Sequence, residues 1–182
     1  MSGRVVIADD ETVIRLGVRT ILEEAGYTVV GEASAGGQVL GLVEELNPDV
    51  VVLDIKMPDI NGIEVARRLH HQHPVPVVFL TAFGDQELIR LAKEAGGFAY
   101  VVKPIQGAEI VAAVELARAR WQDLQSLRET LETRKLVERA KGILMRKLGI
   151  GEEDAYRLLH RFSRSQRKPL RKVAEAVIAK EG

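Results

Sequence analysis

Between residues 4 and 103 the chain alternates short runs of valine, isoleucine and leucine with stretches whose apolar residues recur every three or four positions. Continuous apolar runs suit strands buried on both faces, and the longer period suits amphipathic helices. The pattern predicts strands over 5–8, 28–33, 50–53, 77–80 and 99–102, and helices over 12–25, 38–46, 62–71 and 86–95. Gly26, Asn47 with Pro48, Pro74 with Pro76, and Gly96 with Gly97 punctuate the helix ends. Strands and helices in regular alternation imply an α/β fold, a doubly wound five-stranded parallel sheet covered by helices on both faces.

After Pro104 the pattern changes. No Gly or Pro occurs between Gly107 and Gly142, which predicts one long helix. Along it, Ile110, Val114, Ala117, Trp121, Leu124 and Leu131 alternate by four and three, with Arg128 interrupting. That spacing predicts a coiled-coil linker over 108–134 that pairs with a second copy, although the same stripe would fit packing on the protein's own domains. Residues 135–182 read as a small all-α three-helix bundle. Its stripes are Leu136, Ala140, Ile143, Leu144 and Leu148; then Ala155, Leu158, Leu159 and Phe162; then Leu170, Val173, Ala174, Val177 and Ile178. Each stripe is too small to be stable alone, so the three should share one core. Glu152, Glu153 and Asp154 suit the positive end of the second helix, and Pro169 suits the start of the third.

Composition narrows the class. At 182 residues, 46% hydrophobic and 29% charged, two domains are expected. Cysteine is absent, which removes disulfides and thiolate metal sites. No signal-peptide segment or run long enough to cross a bilayer is visible, so a cytoplasmic protein without membrane contact is expected. The zero formal charge is a balance of two halves: residues 1–120 hold 11 basic against 17 acidic side chains, and residues 121–182 hold 15 against 9. A basic tail invites a polyanion.

The predicted strand ends bring chemistry together. In an open parallel sheet, functional groups gather beyond the carboxyl ends of the strands, and there the sequence puts Asp9, Asp10, Asp54, Thr81 and Lys103. Three carboxylates held close cannot all stay ionised without a cation, and Mg²⁺ with its preference for oxygen ligands would answer the repulsion. Read singly, Asp9 and Asp10 would also fit a solvated turn with Asp10 capping the next helix, and Thr81 or Tyr100 an ordinary core position. His70, His71 and His73 crowd a helix end without an acidic ligand cluster, a solvated position more than a metal site.

Taken together, Asp9 and Asp10, Asp54 within Leu-Asp-Ile-Lys-Met-Pro, Thr81 followed by Ala82, Tyr100, and Lys103 followed by Pro104 resemble the flavodoxin-like receiver domain of two-component response regulators. The resemblance, spanning 1–120, implies that Asp54 is a phosphoacceptor for a sensor histidine kinase. It implies that Asp9, Asp10, Asp54 and the Lys56 carbonyl hold Mg²⁺. Lys103 would pair with the phosphoryl oxygens, while Thr81 and Tyr100 relay the switch. Asn61 stands before Gly62 where many receivers carry Asp, and Ile105 where many carry Phe. The chain would then be a phosphoprotein, not an enzyme in its own right.

The tail has six basic residues and no acidic one over 161–172: Arg161, Arg164, Arg167, Lys168, Arg171 and Lys172. Phosphates could be held there by charge. Residues 140–145 (Ala-Lys-Gly-Ile-Leu-Met), with Ala155, Tyr156, Leu159, Ser163, Leu170, Ala174 and Ile178, resemble the ANTAR domain of transcription antitermination regulators. That resemblance, covering 135–182, implies RNA hairpins in a nascent transcript as ligand, bound by a phosphorylation-enhanced homodimer. Candidate RNA contacts are Lys141, Tyr156, Arg161, Arg164, Arg167, Lys168 and Arg171; Met145 and Phe162 read as packing residues. Gly151 stands where a serine cap is common. Two other readings share these residues: a DNA-binding response regulator, and a phosphorelay intermediate or scaffold with a protein-binding tail.

Overall fold

The computed structural model describes residues 3–82, 90–91 and 94–181. Five strands, β1 (Arg4–Ala8), β2 (Thr28–Ala33), β3 (Val50–Asp54), β4 (Val77–Ala82) and β5 (Ala99–Lys103), form one sheet in the order β2-β1-β3-β4-β5. Every neighbouring pair is parallel. The described helices are α1 (Thr12–Glu24), α2 (Gly36–Leu46), α3 (Gly62–Gln72), α4 (Gly107–Leu148), α5 (Glu152–Gln166) and α6 (Leu170–Ala179). The helix expected over 86–95 lies mostly outside the described residues. Each strand begins or ends within two residues of expectation, because a run buried on both faces has sharp polar boundaries.

The chain divides into two compact units, Met1–Gln122 and Asp123–Gly182. In the first, the sheet separates two apolar layers. Val6, Ala8, Val51, Leu53 and Phe79 pack with Val39 and Val43 of α2 and Val65 and Leu69 of α3. On the other face Val5, Ile7, Val52 and Leu80 pack with Val18 and Leu22 of α1 and with Ile110, Val114 and Ala117 of α4. All five β3 side chains are buried, which fixes the strand that ends in Asp54 at the centre of the sheet. The order reverses at β1 and β3, so the crevice of this doubly wound sheet opens between their carboxyl ends.

This arrangement corrects the reading of the long helix. Ile110, Val114 and Ala117 have no solvent exposure and belong to the sheet's own core. Trp121 packs edge-on against Phe98, with ring centroids 5.5 Å apart. The first half of the 4,3 stripe is therefore committed within the chain and is not open to a second copy. Beyond it α4 presents further exposed leucines, Leu127 and Leu131.

The tail also differs from three separate helices. Gly142 does not break α4, which runs unbroken for 42 residues and itself supplies the first helix of the bundle. One glycine costs about 1 kcal/mol in a helix, less than the burial of the apolar residues around it returns. Val137 and Ala140 of α4, Leu159 of α5, and Val173 and Ala174 of α6 form the core, joined by Leu136, Leu144, Leu170, Val177 and Ile178. Leu148, Met145 and Phe162 are exposed, so these three expected packing residues are not core. Leu159→Ala empties a fully buried site and should lower tail stability by about 2–5 kcal/mol, measured by denaturant unfolding.

Candidate functional site

The carboxyl ends of β1, β3, β4 and β5 enclose a pocket of about 290 Å³ lined by Asp10, Glu11, Asp54, Lys56, Thr81, Ala82 and Lys103. Lys103, from the end of β5, reaches across it. Its Nζ lies 2.9 Å from Asp9 Oδ2, 2.9 Å from Asp54 Oδ1 and 3.5 Å from Glu11 Oε1. Asp9 is fully buried and Asp54 nearly so. The cation that answers the carboxylate repulsion in this structure is thus a side chain. Asp10 stands exposed at the rim, and among the described residues no three acidic or histidine side chains form a ready metal cluster.

Burial is the largest influence on Asp54 and pushes its carboxyl above the ordinary carboxylate range. Lys103 and the Lys56 amide pull it back, and the charge of Asp9 adds to the push. Burial also works against the Lys103 ammonium, but the carboxylates of Asp9 and Asp54 outweigh it and leave Lys103 pushed up to about 12. Asp9 Oδ1 accepts from the Glu11 amide at 2.9 Å, and Oδ2 is hidden from solvent and meets the Lys103 ammonium at 2.9 Å. Two buried carboxylates that share a single ammonium, among hard oxygen donors, fit a divalent cation such as Mg²⁺. Asp10 does not cap α1: the N-cap position is Glu11 and makes no side-chain cap bond.

Of the remaining receiver-like positions, Thr81 lines the pocket, and Tyr100, the second residue of β5, does not. Thr81 is buried, its hydroxyl donating to the Ala82 carbonyl at 3.3 Å. Tyr100 is 43% exposed on β5. Lys103 precedes a cis proline peptide.

In the tail, the structure separates the basic candidates. Lys141 is buried and held by Glu138 at 2.9 Å and Glu152 at 2.7 Å, which keep its ammonium above its ordinary value. It serves as an internal tie between α4 and the start of α5. Arg171 and Lys172 both pair with Glu175 at 2.9 Å. Arg161, Arg164, Arg167 and Lys168 are exposed and make no ion pair among the described residues. Arg167 adopts the left-handed conformation, φ 50°, at the end of α5. There the Lys168 amide donates to Ser163 O at 3.0 Å and the Arg167 amide to Arg164 O at 3.2 Å, a Schellman turn in which arginine takes the usual glycine place.

Comparison with known proteins agrees with both halves. Residues 5–115 match the response regulator receiver domain family and residues 125–178 the ANTAR domain family. The chain is 41% identical to the transcriptional regulatory protein PdtaR of Mycobacterium tuberculosis, over 96% of this chain and 89% of that protein. It belongs to the ANTAR-type response regulators. It is also 36% identical to the chemotaxis protein CheY of Thermotoga maritima, over 63% of this chain and 96% of that one. A CheY-like receiver structure from Methanospirillum hungatei superposes with a TM-score of 0.62 at 27% identity, covering 68% of this chain and 98% of that one.

Within the receiver domain, three contributors escaped the sequence reading. Arg15 on α1 donates from Nη1 to the Asp9 carbonyl at 2.7 Å and pairs through Nε with Glu32 of β2 at 3.1 Å. It clamps the end of β1 to its neighbour, and only the β1 to β2 pairing makes Glu32 its partner. Asn61 caps α3 by accepting from the Glu64 amide at 2.9 Å, so the departure from Asp leaves the cap in place. Gly62 packs its backbone on that of Asp54: an added Cβ would lie 2.1 Å from the Asp54 carbonyl oxygen. The Asn-Gly pair was a visible signal, but its contact was not.

Gly62→Ala must displace the strand end that carries Asp54, and should cost about 1–3 kcal/mol of stability by thermal unfolding. Asp54→Asn should do the opposite. A carboxyl raised by folding takes up a proton in the native state, so it stabilises the fold only at low pH and opposes it once ionised. The variant should therefore melt above the wild type at pH 7 without divalent metal. The gap should close as pH falls through the raised Asp54 value toward the ordinary 3.8. A calorimetric pH series checks the sign.

Proposed function

We propose that this response regulator accepts a phosphoryl group on Asp54 from a sensor histidine kinase, and that its ANTAR module then binds RNA hairpins in a nascent transcript to promote antitermination in the cytoplasm. The observation carrying this reading is the Lys103 ammonium held 2.9 Å from both Asp9 and Asp54 in a buried pocket. One lysine balances only one of two carboxylates, so the pocket retains attraction for a further cation.

Asp9, Asp10, Asp54 and the Lys56 carbonyl would hold Mg²⁺, and the bound ion would neutralise charge on the transferring phosphoryl oxygens. An Asp54 oxygen attacks the phosphorus of the kinase phosphohistidine; the P–O bond forms as the P–N bond breaks, and the imidazole leaves. Lys103 already stands beside the attacking oxygen, where it meets the new phosphoryl charge with little movement. The added charge is about −1.5 to −2, enough to draw the Thr81 hydroxyl toward it. Tyr100, half-exposed, then turns into the space that Thr81 leaves. The chain acts as phosphoacceptor, with no separate catalytic pocket in this account.

Pairing of two copies is assigned to Leu124 and Leu131, the part of the α4 stripe left outside the receiver core, together with the exposed Leu127. RNA binding is assigned to Tyr156, Arg161, Arg164, Arg167 and Lys168. The exposed, unpaired cations favour a polyanion over a purely protein partner. Joining two weak RNA sites raises their effective concentration, so a modest shift in pairing yields a large change in occupancy.

In sedimentation velocity with acetyl phosphate and Mg²⁺, the wild type should shift toward dimer and gain hairpin RNA affinity, and Asp54→Ala should do neither. A donor-dependent shift retained by Asp54→Ala would refute the assignment. Duplex DNA bound more tightly than hairpin RNA at equal salt would favour the DNA-binding reading.

A further inference from the structure

The surface of α5 carries a groove of about 760 Å³ lined by Tyr156, Arg157, His160, Arg161, Arg164 and Ser165. Its chemistry is uneven. Tyr156 is 45% exposed and meets the His160 ring edge-on, with centroids 4.4 Å apart. His160 Nε2 is shielded from solvent and has no hydrogen-bond partner. Arg161 and Arg164 flank the rings without an ion pair among the described residues, while Arg157 is tied to Glu153. No acidic side chain lines the groove.

A basic groove alone would hold any phosphate backbone. The two rings and the orphan nitrogen ask for more: a flat face to stack upon, and a polar edge to meet Nε2. An unpaired nucleobase supplies both, whereas bases in a duplex keep their faces stacked and covered. We infer that this groove is the subsite for one unpaired base of the RNA loop: the base stacks on Tyr156, the tyrosine ring swings to uncover His160 Nε2 for the base edge, and Arg161 and Arg164 hold the flanking phosphates. This rests on the RNA reading above and adds to it a division of labour. The rings carry base recognition and the arginines carry charge. Arg167, held left-handed by the Schellman turn, extends the row of cations past the end of α5.

The test uses the full-length chain treated with acetyl phosphate and Mg²⁺, and a hairpin RNA enriched from a randomised-loop pool on the wild type. Abasic substitution along the loop leaves the phosphates in place. One position should weaken binding between about 5-fold and 150-fold, the range of a single stacked base. Tyr156→Leu should erase that penalty and Tyr156→Phe keep it. His160→Phe should keep the penalty but flatten the preference among the four bases. Arg161→Gln and Arg164→Gln should weaken intact and abasic hairpins alike, each lowering the salt slope by about 0.7–1.

Independently of any substitution in the protein, 2-aminopurine at the sensitive position should be quenched when the wild type binds. Hairpin binding without quenching, or an abasic profile unchanged in a folded Tyr156→Leu, overturns the base subsite and leaves RNA binding intact. A pool that enriches no hairpin above duplex DNA of equal charge overturns both.

Discussion

Two buried carboxylates share one partly buried ammonium at the mouth of the sheet, which leaves the arrangement under-neutralised. Asp9 and Asp54 lie each 2.9 Å from Lys103 Nζ, on the ends of strands that the apolar core fixes in place. Removing such groups from water is expensive, and a single lysine cannot satisfy both. The strain surfaces in the raised Asp54 carboxyl. A pocket of this kind is primed for an added cation and for any change of charge on Asp54. The surrounding anchors have the same purpose. Arg15 holds the Asp9 carbonyl, Gly62 lets α3 approach the Asp54 backbone, and Asp59 reaches the Gly37 amide at 3.2 Å to tie the following loop to α2.

The tail uses charge differently. Lys141 is withdrawn into an internal tie with Glu138 and Glu152, and Arg171 and Lys172 are spent on Glu175. The cations left over run along α5 and its terminal turn, beside two aromatic rings. An arginine in a left-handed position is less comfortable than glycine would be, by roughly 1 kcal/mol, yet it keeps a guanidinium where the chain reverses. Such tolerated local discomfort accompanies binding surfaces.

Much of the receiver fold was legible because strands buried on both faces leave unbroken apolar runs, and their polar ends name the pocket residues directly. Less legible were features that depend on pairing distant segments. The Arg15 clamp needs β2 beside β1, and the Gly62 contact needs α3 against the Asp54 backbone. The long helix was misread in part for the same reason: a 4,3 stripe looks alike whether it faces a second copy or its own sheet, and Ile110, Val114 and Ala117 face the sheet. In the tail, the ANTAR resemblance marked Lys141 as a candidate contact, but its pairing depends on Glu138 one turn earlier and Glu152 across the joint to α5. Charge counts cannot distinguish a spent cation from a free one.

Intact-protein mass spectrometry after incubation with acetyl phosphate and Mg²⁺ tests the central claim most directly. A single acid-stable, base-labile adduct of about 80 Da is expected on the wild type, absent from Asp54→Asn and from samples stripped of divalent metal. An adduct that persists in Asp54→Asn, or a wild type that stays unmodified, would contradict it.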